Sequence, residues 1–366
     1  MLPGNAAPGT QPPDPVALLG ALRLPAGPGE PRDTPAAQGT RDTRETARRT
    51  AAWAADHGLF RDAGARRYAA ALRVDRYTAG IAPSLRDDAL AGLDRWSLWM
   101  TLVDDWLDVD DLSVVRARGA ALAALLLRDD PDHGGDSAHP YVRALGDLWR
   151  DFQDRPHPWR TRLADRFVQW FESAETECRY RTARRWPSVG GYCDLRAVTI
   201  GAQGFNCVIE AYQGVAPPSR LADAGEVAVF DAVAALSLGL INDMAGIRRD
   251  LAKGDRLNLL LVIGHAEGCP LPEAAKTALG MFHDRIGHLR RLRERFPLLP
   301  HELGADPAHL PALLASSEIR LAHIRGYRDW ALTSYRYHQG YDRRTPHPAG
   351  AHGRAPGDQG LDGAAS

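Results

Sequence analysis

Helix-type spacing of apolar residues runs through this chain almost without interruption, and its stops are marked by proline. The breaks fall at Ala82-Pro83, Asp130-Pro131, Arg155-Pro156, Trp186-Pro187, Pro217-Pro218, Cys269-Pro270 and Phe296-Pro297. Proline lacks the N–H that a helix interior needs, and it pushes the preceding residue out of helical backbone space. With no convincing alternating strand between the breaks, the pattern predicts an all-α fold of roughly ten to twelve helices in a single domain. A bundle of that kind leaves room for a cavity between helices. Residues 1–40 are rich in Pro, Gly and Ala and lack periodicity, which predicts a disordered leader. Residues 345–366 read as a similar tail, so the folded domain is expected at 41–344. No internal repeat is visible.

Two of the helical stretches run from apolar residues into acids. Trp96-Ser97-Leu98-Trp99-Met100-Thr101-Leu102-Val103 leads into Asp104-Asp105-Trp106-Leu107-Asp108, which puts Asp104 and Asp108 one turn apart on one face, with Asp105 beside them. Ala234 to Ile241 leads into Asn242-Asp243-Met244-Ala245-Gly246-Ile247-Arg248-Arg249-Asp250, where Asn242, Gly246 and Asp250 recur every fourth position. A carboxylate on a buried face must open on a cavity, pair with a base or be neutralised by a cation. Oxygen donors in such a set suit a hard ion such as Mg²⁺, which also keeps waters and takes phosphate oxygens. Each acidic patch alone reads equally well as a solvated helix face beside arginine. Two of them, each closing an apolar run, argue for opposed walls of one cavity.

In this arrangement the chain resembles the bacterial class I terpene synthases. Asp104, Asp105 and Asp108 match that family's aspartate-rich motif, and Asn242, Gly246 and Asp250 match its second metal motif, N-D-x-x-S-x-x-R/K-E, with Arg249 in the basic position. Arg196, within Tyr192-Cys193-Asp194-Leu195-Arg196-Ala197-Val198-Thr199-Ile200-Gly201, looks like the diphosphate-sensing arginine ahead of a broken helix. Trp330-Ala331-Leu332-Thr333-Ser334-Tyr335-Arg336-Tyr337 is similar to W-x-x-x-S-x-R-Y, whose Arg-Tyr pair, here Arg336 and Tyr337, grips the diphosphate. The resemblance implies a helical bundle around an apolar cavity and three Mg²⁺ ions. It also implies ionisation of a linear prenyl diphosphate, followed by cyclisation of the allylic cation.

Farnesyl diphosphate is favoured because sesquiterpene formation is the commonest activity in the family resembled; geranylgeranyl diphosphate is the alternative. Trp96, Trp99, Phe205 and Trp330 flank the motifs and are candidates to line the cavity. The chain departs from the family pattern at Gly246, where Ser or Thr is usual, and at Asp250, where Glu is usual. A water would then complete the shell of one metal ion, and the shorter carboxylate would move it.

Other readings fit less well. A chain-elongating prenyltransferase should carry a second D-D-x-x-D, and an Mg²⁺-dependent diphosphohydrolase should carry a compact E-x-x-E set. A non-catalytic helical interaction protein has no reason to end two apolar runs in acids. Asp108-Val109-Asp110-Asp111 spells the D-x-D-D of class II cyclases, which need far more chain to enclose that acid. A net charge of -1 with scattered basic residues argues against nucleic acid as a partner. Four cysteines without C-x-x-C spacing, and no signal sequence, point to free thiols in a reducing cytoplasm. No unbroken apolar run is expected to reach the length of a membrane span. The thirteen histidines show no H-E-x-x-H, and neither G-x-G-x-x-G nor a Walker motif is present. A homodimer is left open.

Overall fold

The computed structural model describes residues 12–26, 41–215 and 217–338. Among the described residues there are helices and no strands, as the all-α expectation requires. The proline breaks fall where expected. Pro156, Pro218 and Pro270 are the N-caps of helices His157–Thr182, Ser219–Ala222 and Leu271–Arg295. Ala82 caps the C-terminus of Val74–Ile81, and Phe296–Leu298 is a short 3-10 turn. Thirteen described helices have eight residues or more, slightly above the expectation. The surplus comes from breaks without proline. Arg73, at φ 53°, takes the left-handed conformation and separates Ala63–Leu72 from Val74–Ile81.

Part of the expected disordered leader is instead docked. Pro15–Gly20 forms a short helix whose N-cap Asp14 accepts from the Val16 amide, and Leu18, Leu19 and Leu22 are buried. It lies against the helix Gly225–Lys253, where Arg248 pairs with Asp14 at 3.4 Å. Three leucines at helical spacing were enough to bury one face, a signal that the surrounding Pro and Gly obscured. Residues 1–11, 27–40 and 345–366 lie outside the described residues.

The hub of the bundle is Gly225–Lys253, which contacts Val189–Thr199, Leu271–Arg295 and Leu310–Ala331. Contrary to the sequence expectation, it is long and apolar enough by composition to cross a membrane, with a mean hydropathy of 1.6. Its apolar window is 72% buried within the fold, so its hydrophobicity is spent on packing. A buried ion network fastens this hub to its neighbours. Arg320 donates to Asp231 at 2.6 Å and to Glu210, and the Ser316 hydroxyl donates to Glu210 at 2.6 Å. Three helices are thereby held in register, because removing any one partner would strand a buried charge.

A second buried acid stands alone. Asp94, inside the helix Asp87–Leu107, accepts from the Thr78 hydroxyl at 3.0 Å, and burial pushes its pKa up from 3.8 to about 7. The folded state therefore holds this proton to about pH 7, whereas the unfolded chain releases it near 3.8. The stability Asp94 confers is full below the lower value, falls as pH rises between the two and is gone above the upper one. Asp94→Asn keeps the shape and removes the ionisation. It is expected to raise stability at pH 8.5 by on the order of a few kcal/mol and to change it little at pH 4. Denaturant melts at both pH values check this, and equal shifts at the two would refute it.

Candidate functional site

A cavity of about 180 Å³ opens where the C-terminal ends of Asp87–Leu107 and Gly225–Lys253 face each other. Its walls come from these two helices and from Val74–Ile81, His157–Thr182, Ala202–Gln213 and Leu310–Ala331. Acids gather at the ends of the two helices. Asp104 lies one turn before the end of its helix and Asp108 caps it, while Asp250 lies in the last turn of the other. Deeper positions on the same helices, Ser97 and Leu238, also line the cavity. At 1.5 Å per residue the lining from Leu238 to Asp250 spans about 18 Å.

The Asp104 side chain keeps 51% of its surface exposed, and it meets Arg336 Nη2 at 3.3 Å. Burial within the cavity raises its pKa; Arg336 opposes the rise and the carboxylates of Asp105 and Asp108 add to it. Arg336 also touches Asp105 at 3.3 Å and donates to the Tyr68 hydroxyl at 3.1 Å. Asp108 differs in its partners. Burial pushes it up, but Arg181 at 3.2 Å, Lys253 at 3.3 Å and the charge of Arg249 outweigh that, and its pKa sits below the usual carboxylate range.

On the opposite wall the Asn242 carbonyl accepts from Arg196 Nη2 at 2.7 Å, and its amide donates to the hydroxyls of Tyr327 at 2.6 Å and Tyr337 at 3.0 Å. Arg196 also donates from Nε to Asp243 at 3.0 Å and from Nη1 to the Thr199 hydroxyl at 3.3 Å. Asp243 is buried and held in turn by the Tyr192 hydroxyl at 2.7 Å and the Leu259 amide at 2.9 Å. Two glycines make the arrangement sterically feasible. A Cβ on Gly239 would sit 2.7 Å from Arg196 Cγ. Gly201, at φ +68°, breaks the helix after Thr199, where a Cβ would meet Met100 at 3.0 Å and the Trp170 ring at 3.2 Å. Asp250 accepts from Asn258 Nδ2 at 2.9 Å and from Arg249 Nε at 3.3 Å. Gly246 carries no side-chain oxygen, and a Cβ there would lie 3.2 Å from Asp250 Oδ2, so the position shares Asp250's space.

The structure thus brings Asp104, Asp108, Asn242, Asp250, Arg196, Arg249, Arg336 and Tyr337 onto one cavity, with Asp105 and Gly246 just behind its lining. Phe205 and Trp330 line it as expected. Trp96 and Trp99 do not. Trp96 is fully buried between Phe152 and Phe167, with ring centres at 5.8 and 5.2 Å. Trp99 donates to the Tyr141 carbonyl at 2.9 Å and packs on Trp170 and Phe171. Helical periodicity explains the correction. The cavity face of that helix carries Ser97, Met100, Thr101 and Asp104, and the two tryptophans project to the other side.

Sequence reading missed Glu177, Arg181, Lys253, Tyr77, His323 and Tyr327, all near or on the same cavity. Glu177 and Arg181, 4.0 Å apart at i and i+4, look in sequence like any surface ion pair. In the fold, burial raises Glu177 to about 7, against the pull of Arg181 and Arg196.

Among the described residues no three acidic, histidine or cysteine side chains converge as a ready cage for a metal. The acids are held by arginines and a lysine instead. The donor set nevertheless fits a hard cation: its atoms are carboxylate and amide oxygens, and Asp104 carries a like-charge penalty from its neighbours that a cation would relieve.

An all-helical fold with acids and arginines facing each other across a partly aromatic cavity defines an enzyme of the class I terpenoid type. The comparisons agree. A family model described as "Terpene synthase family 2, C-terminal metal binding" matches residues 95–287, more than half of the chain. The chain belongs to this metal-binding family, the bacterial class I terpene synthases. Pristinol synthase of Streptomyces pristinaespiralis is 25% identical over 335 residues, covering 90% of this chain and 87% of that protein. The (-)-beta-caryophyllene synthase of Saccharothrix espanaensis, described as cyclising (2E,6E)-farnesyl diphosphate, is 27% identical, covering 78% of this chain and 82% of its own. Among solved structures, a-eudesmol synthase superposes with a TM-score of 0.73 at 21% identity, covering 82% of this chain and 97% of its own. The linalool/nerolidol synthase of Streptomyces clavuligerus, solved with 2-fluorogeranyl diphosphate, gives 0.72 at 23% identity, covering 79% and 98%.

Proposed function

We propose that this protein is an Mg²⁺-dependent cyclase that ionises farnesyl diphosphate and closes the resulting allylic cation to a sesquiterpene hydrocarbon or alcohol. The observation that carries this reading is the pairing of Arg196 with Asn242 and of Arg336 with Asp104 across one cavity. Each pair joins a diphosphate-binding cation to a metal-binding oxygen. Asp104, Asp105 and Asp108 would hold metal on one wall and Asn242 and Asp250 on the other, with three ions in all. Metal held there would supply positive charge against the leaving diphosphate.

The chain's own residues do the rest. As the diphosphate enters, Arg336 and Arg196 turn their planar forks from Asp104 and Asn242 to phosphate oxygens, which frees those side chains. Arg249 and Arg181 add positive charge at the same mouth, and departure of the diphosphate is stabilised by charges already in place. Asp243 keeps Arg196 aimed while this happens. Tyr337, whose hydroxyl accepts from the Asn242 amide, is set to follow Arg336 onto the leaving group. The allylic cation is left facing Phe205, Tyr77, Tyr327 and Trp330, whose ring faces stabilise positive charge and exclude water. Four free cysteines support a reducing, cytoplasmic location.

Incubating the purified protein and Mg²⁺ with the C10, C15, C20 and C25 prenyl diphosphates, with diphosphate release and volatile products measured, tests the reading. Cyclic C15 product is expected. Absence of Mg²⁺-dependent diphosphate release from all four would refute it.

Gly246 offers a narrower test. Gly246→Ser supplies a hydroxyl beside Asp250, where the space accommodates it with a shift of a few tenths of an ångström. The variant is expected to stay active and to reach half-maximal rate at two- to fivefold lower Mg²⁺, a change of roughly 0.4–1 kcal/mol. A Mg²⁺ titration showing an unchanged or higher requirement would remove Gly246 from the metal set.

A further inference from the structure

One chain of polar groups on the cavity wall has no part in holding diphosphate. Tyr77 and His323 both line the cavity, and the Tyr77 hydroxyl is hydrogen-bonded to His323 Nε2. His323 Nδ1 lies 2.7 Å from Asn206 Oδ1. Asn206 is fully buried and its amide nitrogen has no hydrogen-bond partner. In the tautomer with the ring proton on Nδ1, that nitrogen donates to Asn206 Oδ1 and Nε2 accepts from the Tyr77 hydroxyl. Burial, with the charge of Arg320 one turn away, lowers the His323 pKa to about 3, so the imidazole is neutral at any working pH. Around it stand the rings that would face the cation. Tyr77 lies 6.1 Å from Phe205 and 5.3 Å from Trp330, and His323 lies 5.6 Å from Phe205.

A neutral, oriented acceptor among aromatic rings is an unusual thing to bury. The join from His323 to the helix of Asn206 is not needed for packing, because Arg320 and Glu210 already tie the same two helices together. An alkyl cation is a strong acid at the carbon next to its charge, strong enough to protonate even a weakly basic nitrogen. We propose that Tyr77 and His323 form the proton acceptor that ends the carbocation cascade, with Asn206 as a positioning residue. The inference rests on the cyclase reading above.

In the step itself, a C–H bond beside the cationic carbon breaks, and its electron pair becomes the second bond of a C=C. The proton goes to the Tyr77 oxygen while the Tyr77 proton passes to His323 Nε2. The positive charge moves from carbon to imidazolium, and the hydrocarbon leaves neutral. His323 is a poor place to keep a proton, so it returns it through Tyr77 to water once the product leaves, and the chain is reset.

The test is the product distribution per diphosphate released. Tyr77→Phe removes one oxygen and keeps the ring, so a role in cation stabilisation or packing alone would leave the products as they were. Wild-type protein, Tyr77→Phe and His323→Gln are each incubated with Mg²⁺ and the prenyl diphosphate that the wild type consumes best. Circular dichroism melts confirm folding. The share of the main wild-type alkene is expected to fall at least about fivefold in Tyr77→Phe, in favour of isomeric alkenes and water-quenched alcohols, with the same direction in His323→Gln. An unchanged product ratio in folded Tyr77→Phe overturns the proposal while leaving the cyclase reading intact; should His323→Gln fail to fold, Tyr77→Phe alone decides. Absence of diphosphate release by the wild type from all four substrates overturns the cyclase reading, and this proposal with it.

Discussion

Asp104→Ala is expected to cut diphosphate release at least about a thousandfold while the protein stays folded, since a metal-held leaving group is worth several kcal/mol. The two halves of that expectation have separate grounds. Asp104 keeps 51% of its side chain exposed to the cavity and pairs with Arg336, so its removal opens no core void and strands no other buried acid. Its raised pKa, caused first by burial and only partly offset by Arg336, marks a carboxylate set where negative charge is costly without a cation. Losing it would also leave Arg336 on Asp105 and the Tyr68 hydroxyl. Asp88→Ala is the control, because Asp88 is exposed in the first turn of the same helix and pairs with Arg49 away from the cavity lining. Steady-state diphosphate release and a thermal melt on both variants check the claim. Wild-type release by Asp104→Ala at saturating Mg²⁺ would move the metal elsewhere.

The fold was legible because proline and apolar spacing are local signals. Every proline break named from the sequence lies between helices or at a helix start; the break at Gly201 is expected from the family resemblance, whereas the one at Arg73, a non-glycine residue in left-handed backbone, leaves no mark that spacing can detect. The site was legible where motif spacing follows helical geometry, as with Asp104 and Asp108 or Asn242 and Asp250. It was not legible where a residue acts through the third dimension. Asp243 stands next to Asn242 in sequence, yet its task is set by Tyr192, Arg196 and the Leu259 amide, which only the fold assembles. Gly239 is silent in sequence and decides whether Arg196 fits. Trp96 and Trp99 show the opposite error. Proximity to a motif suggested the cavity, while the period of the helix turns both away from it.

Arg196→Lys tests the diphosphate grip from the other wall. The guanidinium spends three nitrogens on three partners, Asn242 at 2.7 Å, Asp243 at 3.0 Å and Thr199 at 3.3 Å. A lysine ammonium is a point donor and reaches only part of this set. Asp243, buried and already raised by its surroundings, draws the lysine towards itself, which leaves Asn242 without its partner and the diphosphate without a fork. Turnover is expected to fall at least tenfold, or about 1.4 kcal/mol of transition-state stabilisation. The product spectrum should change with it. A leaving group held less firmly closes the cavity less completely, so water reaches the allylic cation before the ring forms, and the ratio of acyclic alcohol to cyclised product rises. Arg336→Lys, on the Asp104 side, is expected to shift rate and ratio in the same direction, since it loses the bridge to Asp104, Asp105 and Tyr68 together. Single-turnover product analysis separates the two effects. An Arg196→Lys protein with wild-type rate and wild-type ratio would mean that Arg196 serves only to neutralise Asp243, and the grip would then rest on Arg336 and Arg249.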